Sequence, residues 1–109
     1  MSSVFDEREK AFEARYRIEQ DLDFRVRMRR DRLLGLWAAG LMGLEGDEAA
    51  AYAHAVVDSV FDRPDHDASH KVAQDLAARG VEMRPEDLLH RLGELHAIAY
   101  DQVLAELSA

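Results

Sequence analysis

Apolar residues recur at helical spacing along most of the chain, and no stretch alternates apolar and polar residues as a strand does. Helix-breaking residues fall at 40–46, 62–64 and 80–85, which divides the chain into four helical segments. Short turns between helices favour antiparallel neighbours. The pattern therefore predicts an all-α protein, a four-helix bundle with a mobile, partly helical N-terminal extension.

The fourth segment has the clearest core-facing pattern. Pro85 fits the first helical position, where a missing N–H costs nothing. The apolar stripe that follows consists of Leu88, Leu92, Leu95, Ala99 and Val103. One such stripe is expected on each helix that packs against a common core.

The second and third segments are shorter. The second is predicted to start near Asp47, an acceptable N-cap, and to end at Pro64. The third is predicted to start in the cluster 65–67 and to stop at Gly80, which can adopt the left-handed conformation. The expected stripe of the second comprises Ala49, Tyr52, Ala53, Val56 and Val60. That of the third comprises Val72, Ala73 and Leu76.

The first segment spans about residues 3–42, either as one helix or with a break near Arg30. Phe5, Phe12 and Tyr16 are spaced by seven and four, so they share one helix face. A second stripe, rotated from the first by roughly a quarter turn at about 100° per residue, follows it. It comprises Ile18, Leu22, Val26 and Leu33. We expect this second stripe and the apolar run around Trp37 to enter the core, and the aromatic stripe to point away from it.

Two interpretations of the aromatic stripe stay open on pattern alone. Residues 1–17 are either a frayed, solvated extension or a flexible segment that docks into a partner's groove through its i, i+7 and i+11 side chains. Acids precede bases by four residues, which supports only marginal helicity. These pairs are Asp6/Lys10, Glu13/Arg17, Asp21/Arg25 and Asp23/Arg27. The predicted division is a partner-binding segment at 1–17 and a bundle at 18–109.

Composition narrows the function. The chain has 109 residues, 48% of them hydrophobic and 33% charged, which suits one globular domain. A net charge of −8 argues against nucleic acid, because phosphate binding needs a positive surface. The chain has no cysteine, so disulfides and thiolate metal sites are excluded. Without a secretory signal or a run long enough to span a bilayer, we expect a cytoplasmic protein, monomeric when free, with no membrane insertion.

Three clusters of residues are candidates for a chemical site. His66 and His70 are four apart, as zinc ligands on a helix are, but without a third ligand a polar helix start is favoured. The glycines between 35 and 46 lack the Gly-Lys-Ser/Thr ending of a phosphate loop. The arginines of 25–32 form either a solvated helix face or a contact for an acidic partner. We therefore expect no enzyme, no cofactor and no metal.

Two stretches resemble a known family. They are FDEREKAFEARY at 5–16 and RRDRLLGLWAA at 29–39, and together they look like the zeta subunit, the ATPase inhibitor of the alphaproteobacterial F-type ATP synthase. The resemblance implies a four-helix bundle whose N-terminal segment wedges between the catalytic subunits and the rotor and blocks ATP hydrolysis. Asp31 departs from the family pattern, in which asparagine is expected.

The resemblance also implies a partner and a site. The partner is the catalytic head of the synthase, with its alpha, beta and gamma subunits, which would place the protein at the periphery of the inner membrane when bound. The implied partner-binding residues are Phe5, Asp6, Glu7, Arg8, Glu9, Lys10, Phe12 and Tyr16. The alternative function is a helical adaptor or metal-responsive regulatory protein unrelated to ATP synthase.

Overall fold

The computed structural model describes residues 4–63 and 67–109, and every regular element in those ranges is an α-helix. The helices are α1 (Val4–Leu41), α2 (Gly46–Asp62), α3 (Ala68–Ala78) and α4 (Pro85–Leu107). The predicted all-α four-helix bundle is confirmed. The predicted alternative of a break near Arg30 is wrong, because α1 runs through that position without interruption.

Glycines in the left-handed conformation end two of the helices. Gly80 has φ 75°, and its N–H donates to the carbonyl of Ala77 at 3.0 Å, while the Val81 N–H donates to the carbonyl of Leu76 at 2.9 Å. This pair of bonds satisfies carbonyls that the helix leaves without partners. Gly43, with φ 78°, ends α1 in the same way. The predicted stop at Gly80 is confirmed.

The helix starts agree with the sequence at two places and differ at one. Asp67 is the N-cap of α3 and accepts a hydrogen bond from the His70 backbone N–H at 3.1 Å. Pro85 occupies the first position of α4, as predicted. Asp47 is not the N-cap of α2, because that helix begins one residue earlier with Glu45 as its cap. Asp47 instead lies in the first turn, where its charge still favours the helix dipole.

The core joins all four helices. Its largest fully buried side chains are Leu34, Val56, Val72 and Leu76, and α4 adds Leu88 and Leu95. A smaller cluster of Val26, Ala99 and Val103 lies beside it, between α1 and α4. The predicted stripe of α4 is confirmed, since its members are buried or, in the case of Leu92, packed against the core. Ala73 is exposed, so its assignment to the core face of α3 was wrong.

Trp37 packs against the core cluster but remains partly exposed. The guanidinium of Arg91 lies over the Trp37 ring in a cation–π contact, with its central carbon 5.6 Å from the ring centroid. Trp37 therefore joins α1 to α4 at the boundary of the core.

Helices α1 and α2 approach each other closely at Gly35. A Cβ added to Gly35 would lie 2.6 Å from the Cα of Ala53, well inside contact distance. Only glycine fits this crossing without a shift of one helix. The small residues Ala38 and Ala39, also fully buried, follow on the same helix.

Candidate partner-binding arm

Helix α1 is much longer than its neighbours. It has 38 residues, against 17 in α2, 11 in α3 and 23 in α4. At 1.5 Å per residue it spans about 57 Å, most of the 66 Å long dimension of the molecule. All residues from 4 to 21 are exposed, and the first buried residue is Val26. We call residues 4–21 the arm.

All eight predicted partner-binding residues lie on the arm and are exposed. The aromatic side chains are the most unusual of them, with exposed fractions of 75% for Phe5, 70% for Phe12 and 57% for Tyr16. A helix that buried them in its own bundle would gain roughly 1.5–3 kcal/mol from each large side chain. The fold leaves that apolar area in water.

The arm continues the core-facing side of α1. Tyr16 and Leu34 are 18 residues apart, about five complete turns at 3.6 residues per turn, so they lie on the same side of the helix. Leu34 is fully buried, at 0% exposure. The prediction that the aromatic stripe points away from the core side was therefore wrong. The stripe is exposed because none of the other helices that the structure describes extends along the arm.

Ile18 provides the complementary correction. The sequence pattern places it in the stripe predicted to enter the core, yet it is 69% exposed. It lies on the arm, whereas the residues of α1 that pack with α4 in the smaller core cluster are Leu22, Val26 and Leu33. Of the predicted second stripe, only the part after Ile18 contributes to the bundle.

Ion pairs along the arm and its base follow the sequence pattern. Arg17 lies 3.9 Å from Glu13, Arg25 lies 3.0 Å from Asp21, and Arg27 lies 3.1 Å from Asp23. These side chains are mostly exposed, so each pair contributes about 0–1 kcal/mol. The pairs support the helix locally without attaching the arm to the bundle.

Arg29, eight residues after the end of the arm, connects α1 to the C-terminal end of α4. Its Nη1 donates to Gln102 Oε1 at 3.0 Å, and its Nη2 donates to Glu106 Oε1 at 2.6 Å. The arginine cluster at 25–32 is thus divided. Arg25 and Arg27 pair with acids of their own helix, as the solvated-face interpretation expects, whereas Arg29 joins two helices.

Asp31 lies on the side of α1 that faces the start of α3. It is 5% exposed and forms an ion pair with Arg30, whose Nε lies 3.0 Å from its Oδ1. Burial raises the pKa of this carboxyl and the nearby charge of Asp67 adds to the rise, while Arg30 opposes it. The position at which the resemblance leads us to expect asparagine therefore carries a buried carboxyl.

A groove that the sequence did not lead us to predict lies between α1, α2 and α4, next to the C-terminal end of the arm. Phe24 of α1 and Phe61 of α2 meet there edge to face, with ring centroids 6.4 Å apart. Three helices contribute to the groove, so no single stripe predicts it. The available clue was that Phe24 lies outside both stripes of α1 and Phe61 lies outside the stripe of α2.

Within residues 4–63 and 67–109, no group of three or more potential ligands is placed to hold a metal ion. His66 lies outside the described residues, so the predicted pairing of His66 with His70 is not tested. No helix in the same ranges combines the length and the apolar character needed to cross a membrane.

A helical bundle with one exposed, aromatic-bearing helix end is typical of a protein that binds other proteins. The sequence matches the family of ATPase inhibitor subunit zeta over residues 1–102, and the chain belongs to this family. The predicted family is thereby confirmed. No curated protein and no solved structure matches the chain.

Proposed function

We propose that this protein inhibits ATP hydrolysis by the F-type ATP synthase, with the arm as the inhibitory element. Membership of an ATPase inhibitor family supports the activity in general terms. The observation that carries the assignment to the arm is the exposed aromatic face of Phe5, Phe12 and Tyr16 on a helix end that no other part of the described protein covers.

The arm inserts between the catalytic subunits and the rotor of the catalytic head. At 18 residues it is about 27 Å long, and the bundle stays outside. The aromatic rings fill apolar pockets on the partner, where a few buried aromatic side chains commonly contribute most of the binding energy. Rotation in the hydrolytic direction then requires displacement of the arm.

The charged residues around Phe5 set the register and the rate of encounter. Asp6, Glu7, Arg8, Glu9 and Lys10 are all exposed, so their attraction to complementary charges is screened by salt. Inhibition should therefore develop more slowly at high ionic strength, while the aromatic contacts retain the bound state.

The test is ATP hydrolysis by the isolated catalytic head in the presence of variants of this protein. Deletion of residues 1–16 should abolish inhibition, and Phe5→Ala with Phe12→Ala should reproduce most of the loss. Ile18→Ala is the matched control, because Ile18 is as exposed as Phe12 and lies on the arm but off the aromatic face. Circular dichroism confirms that each variant is folded.

Two results would contradict the proposal in different ways. If the deleted protein inhibits as well as the full chain, the inhibitory surface lies in the bundle. If neither protein affects hydrolysis, the alternative of a helical adaptor unrelated to ATP synthase is favoured.

A further inference from the structure

The groove beside the arm is a consequence of how the helices are arranged around α1. Both α2 and α4 pack against α1, but no Cα of α2 lies within 8 Å of a Cα of α4 in the described parts of the chain. A trough of about 610 Å³ therefore runs along α1 between them. We call it the outer groove.

The lining of the outer groove is mainly apolar. Large apolar residues come from all three helices: Phe24, Met28, Val57, Phe61, Val103 and Leu107. Phe24, Phe61 and Leu107 are each exposed. Single exposed apolar residues are common on protein surfaces, whereas a cluster around one concave surface marks a binding site.

The charges of the outer groove are distributed unevenly. Its α1 side carries Arg25, Arg29 and Arg32, while Asp58 and Glu106 lie on the other two helices. Glu106 is already paired with Arg29, and Asp58 lies 3.2 Å from His54 Nε2. Arg32 forms no ion pair with any described residue. On a chain with a net charge of −8, this arginine-bearing side is complementary to an acidic partner.

The dimensions of the outer groove fit a short helix. Its α1 side extends from Phe24 to Arg32, about 12 Å, and its α2 side from Ala50 to Phe61, about 16 Å. This is the length of two to three helical turns. A trough between two helices on the surface of a third accepts another helix by ordinary ridge-and-groove packing.

The outer groove also adjoins the arm. Phe24 follows Tyr16 by eight residues on the same continuous helix, a distance of about 12 Å. A partner that surrounds the arm as far as Tyr16 therefore comes within reach of the groove.

We propose that the outer groove binds an acidic amphipathic helix of the assembly that the arm enters. The inference rests on the proposed function. The apolar side of that helix covers Phe24 and Phe61, and one of its acidic side chains pairs with Arg32. Another replaces Asp21 as the ion-pair partner of Arg25. Two attachments on one rigid helix raise the effective concentration of the arm at its own site.

The first experiment identifies the occupant. A photoreactive benzoylphenylalanine replaces Phe61, and the full-length protein is irradiated in complex with the catalytic head. Leu89, with an exposed fraction of 57% against 58% for Phe61, provides the matched position far from the groove. The expected result is a cross-link from position 61, and none from position 89, to an acidic amphipathic helix of a synthase subunit. A cross-link to a second copy of this chain, to a basic segment, or to no protein would overturn the proposal.

The second experiment measures inhibition by variants in which glutamate replaces a single residue. Phe61→Glu and Arg32→Glu place an acid where an acidic helix would bind, and each should raise the concentration for half-maximal inhibition by about tenfold or more. Leu89→Glu and Arg79→Glu make the same changes at exposed positions outside the groove and should have little effect. Full inhibition should still be reached with the groove variants at saturation, because the arm is intact.

The two experiments separate this proposal from the proposed function. Groove variants that inhibit as well as the unaltered protein, while the arm deletion does not, would overturn the groove and leave the function intact. If the unaltered protein does not inhibit hydrolysis, the proposed function fails and the groove proposal fails with it. An unchanged circular dichroism spectrum of each groove variant excludes unfolding as the cause of weaker inhibition. Phe61→Ser is a second, milder variant at the same position, because it adds no charge.

Discussion

The two halves of α1 place apolar residues on the same side of one helix, but only one half is buried. Around Leu34 that side meets the other three helices, and its residues are among the least exposed in the protein. Around Phe12 the same side meets water. The difference is caused by the lengths of the neighbouring helices and not by the pattern along α1. Helical periodicity therefore indicates the direction of a face, whereas burial depends on what lies opposite it.

The largest expected difference between the two halves of α1 is in the protection of their backbone amides from hydrogen exchange. Amide hydrogen exchange should be fast along the arm, because every one of its residues is exposed. Around Leu34, exchange should require global opening, with a free energy on the order of 5–15 kcal/mol. Equal protection in both regions would show that the arm is held in the free protein, and the prediction of a mobile N-terminal segment would then be wrong.

Truncation of equivalent residues should sharpen the comparison. Leu34→Ala should lower the free energy of unfolding by about 2–5 kcal/mol, because it leaves a cavity in the core. Tyr16→Ala, on the same side of the same helix, should change it by less than about 0.5 kcal/mol, since the residue is exposed. Denaturant titration measures both. For inhibition of ATP hydrolysis we expect the opposite order. Tyr16→Ala should weaken inhibition more than Leu34→Ala does, while the bundle stays folded.

Glycine substitutions examine the same helix at two positions. Gly35→Ala should destabilise the protein by about 1–3 kcal/mol, because the added Cβ meets the backbone of Ala53. Gly40→Ala is the control, since a Cβ there meets nothing within 4 Å, and alanine should stabilise the helix by up to about 1 kcal/mol. Thermal unfolding of the two variants should shift in opposite directions. A stable Gly35→Ala protein would mean that α1 and α2 can separate at little cost.

The smallest expected effect concerns Asp31 and depends on pH. Because burial raises its pKa above the ordinary value of 3.8, the folded state holds the proton more tightly than the unfolded state does. The resulting stability is fully present below that ordinary value and is lost as the pH rises through the folded-state pKa. The ionised carboxylate is therefore unfavourable at neutral pH.

Asp31→Asn should accordingly raise the melting temperature at pH 7, and the gain should disappear in acid. Asp23→Asn provides the control, because Asp23 is an exposed carboxylate on the same helix. A variant that is less stable than the unaltered protein at pH 7 would show that the ion pair with Arg30 outweighs the cost of burial.

Local rules were sufficient for much of the fold. Gly80 ends α3 and Pro85 begins α4 because the backbone conformations of those residues leave few alternatives. The stripe of α4 is correct because that helix packs along most of its length. Rules of this kind involve residues within a few turns of one another, and such contacts are visible in the sequence.

The errors arose where distant parts of the chain decide the outcome. Ile18 fits the core stripe by spacing, but its burial depends on where α4 ends, about 90 residues later. Ala73 is similarly exposed, because none of the described helices covers that side of α3. The outer groove combines residues of three helices, so neither Phe24 nor Phe61 could be assigned to it by periodicity. The candidate arm was identified from its aromatic spacing and from the family resemblance, and its contacts on a partner stay a prediction.

The continuity of α1 from the arm into the core links the length of the arm to its orientation. Each residue inserted between Tyr16 and Leu22 would advance the tip by about 1.5 Å and also rotate it by about 100°. A single insertion would therefore turn the aromatic side of the arm away from the side that Leu34 occupies. Seven inserted residues would nearly restore the alignment, with a residual rotation of about 20°. A helix that is both the arm and part of the core can thus be lengthened only by a nearly whole number of turns if the aromatic side is to keep its orientation.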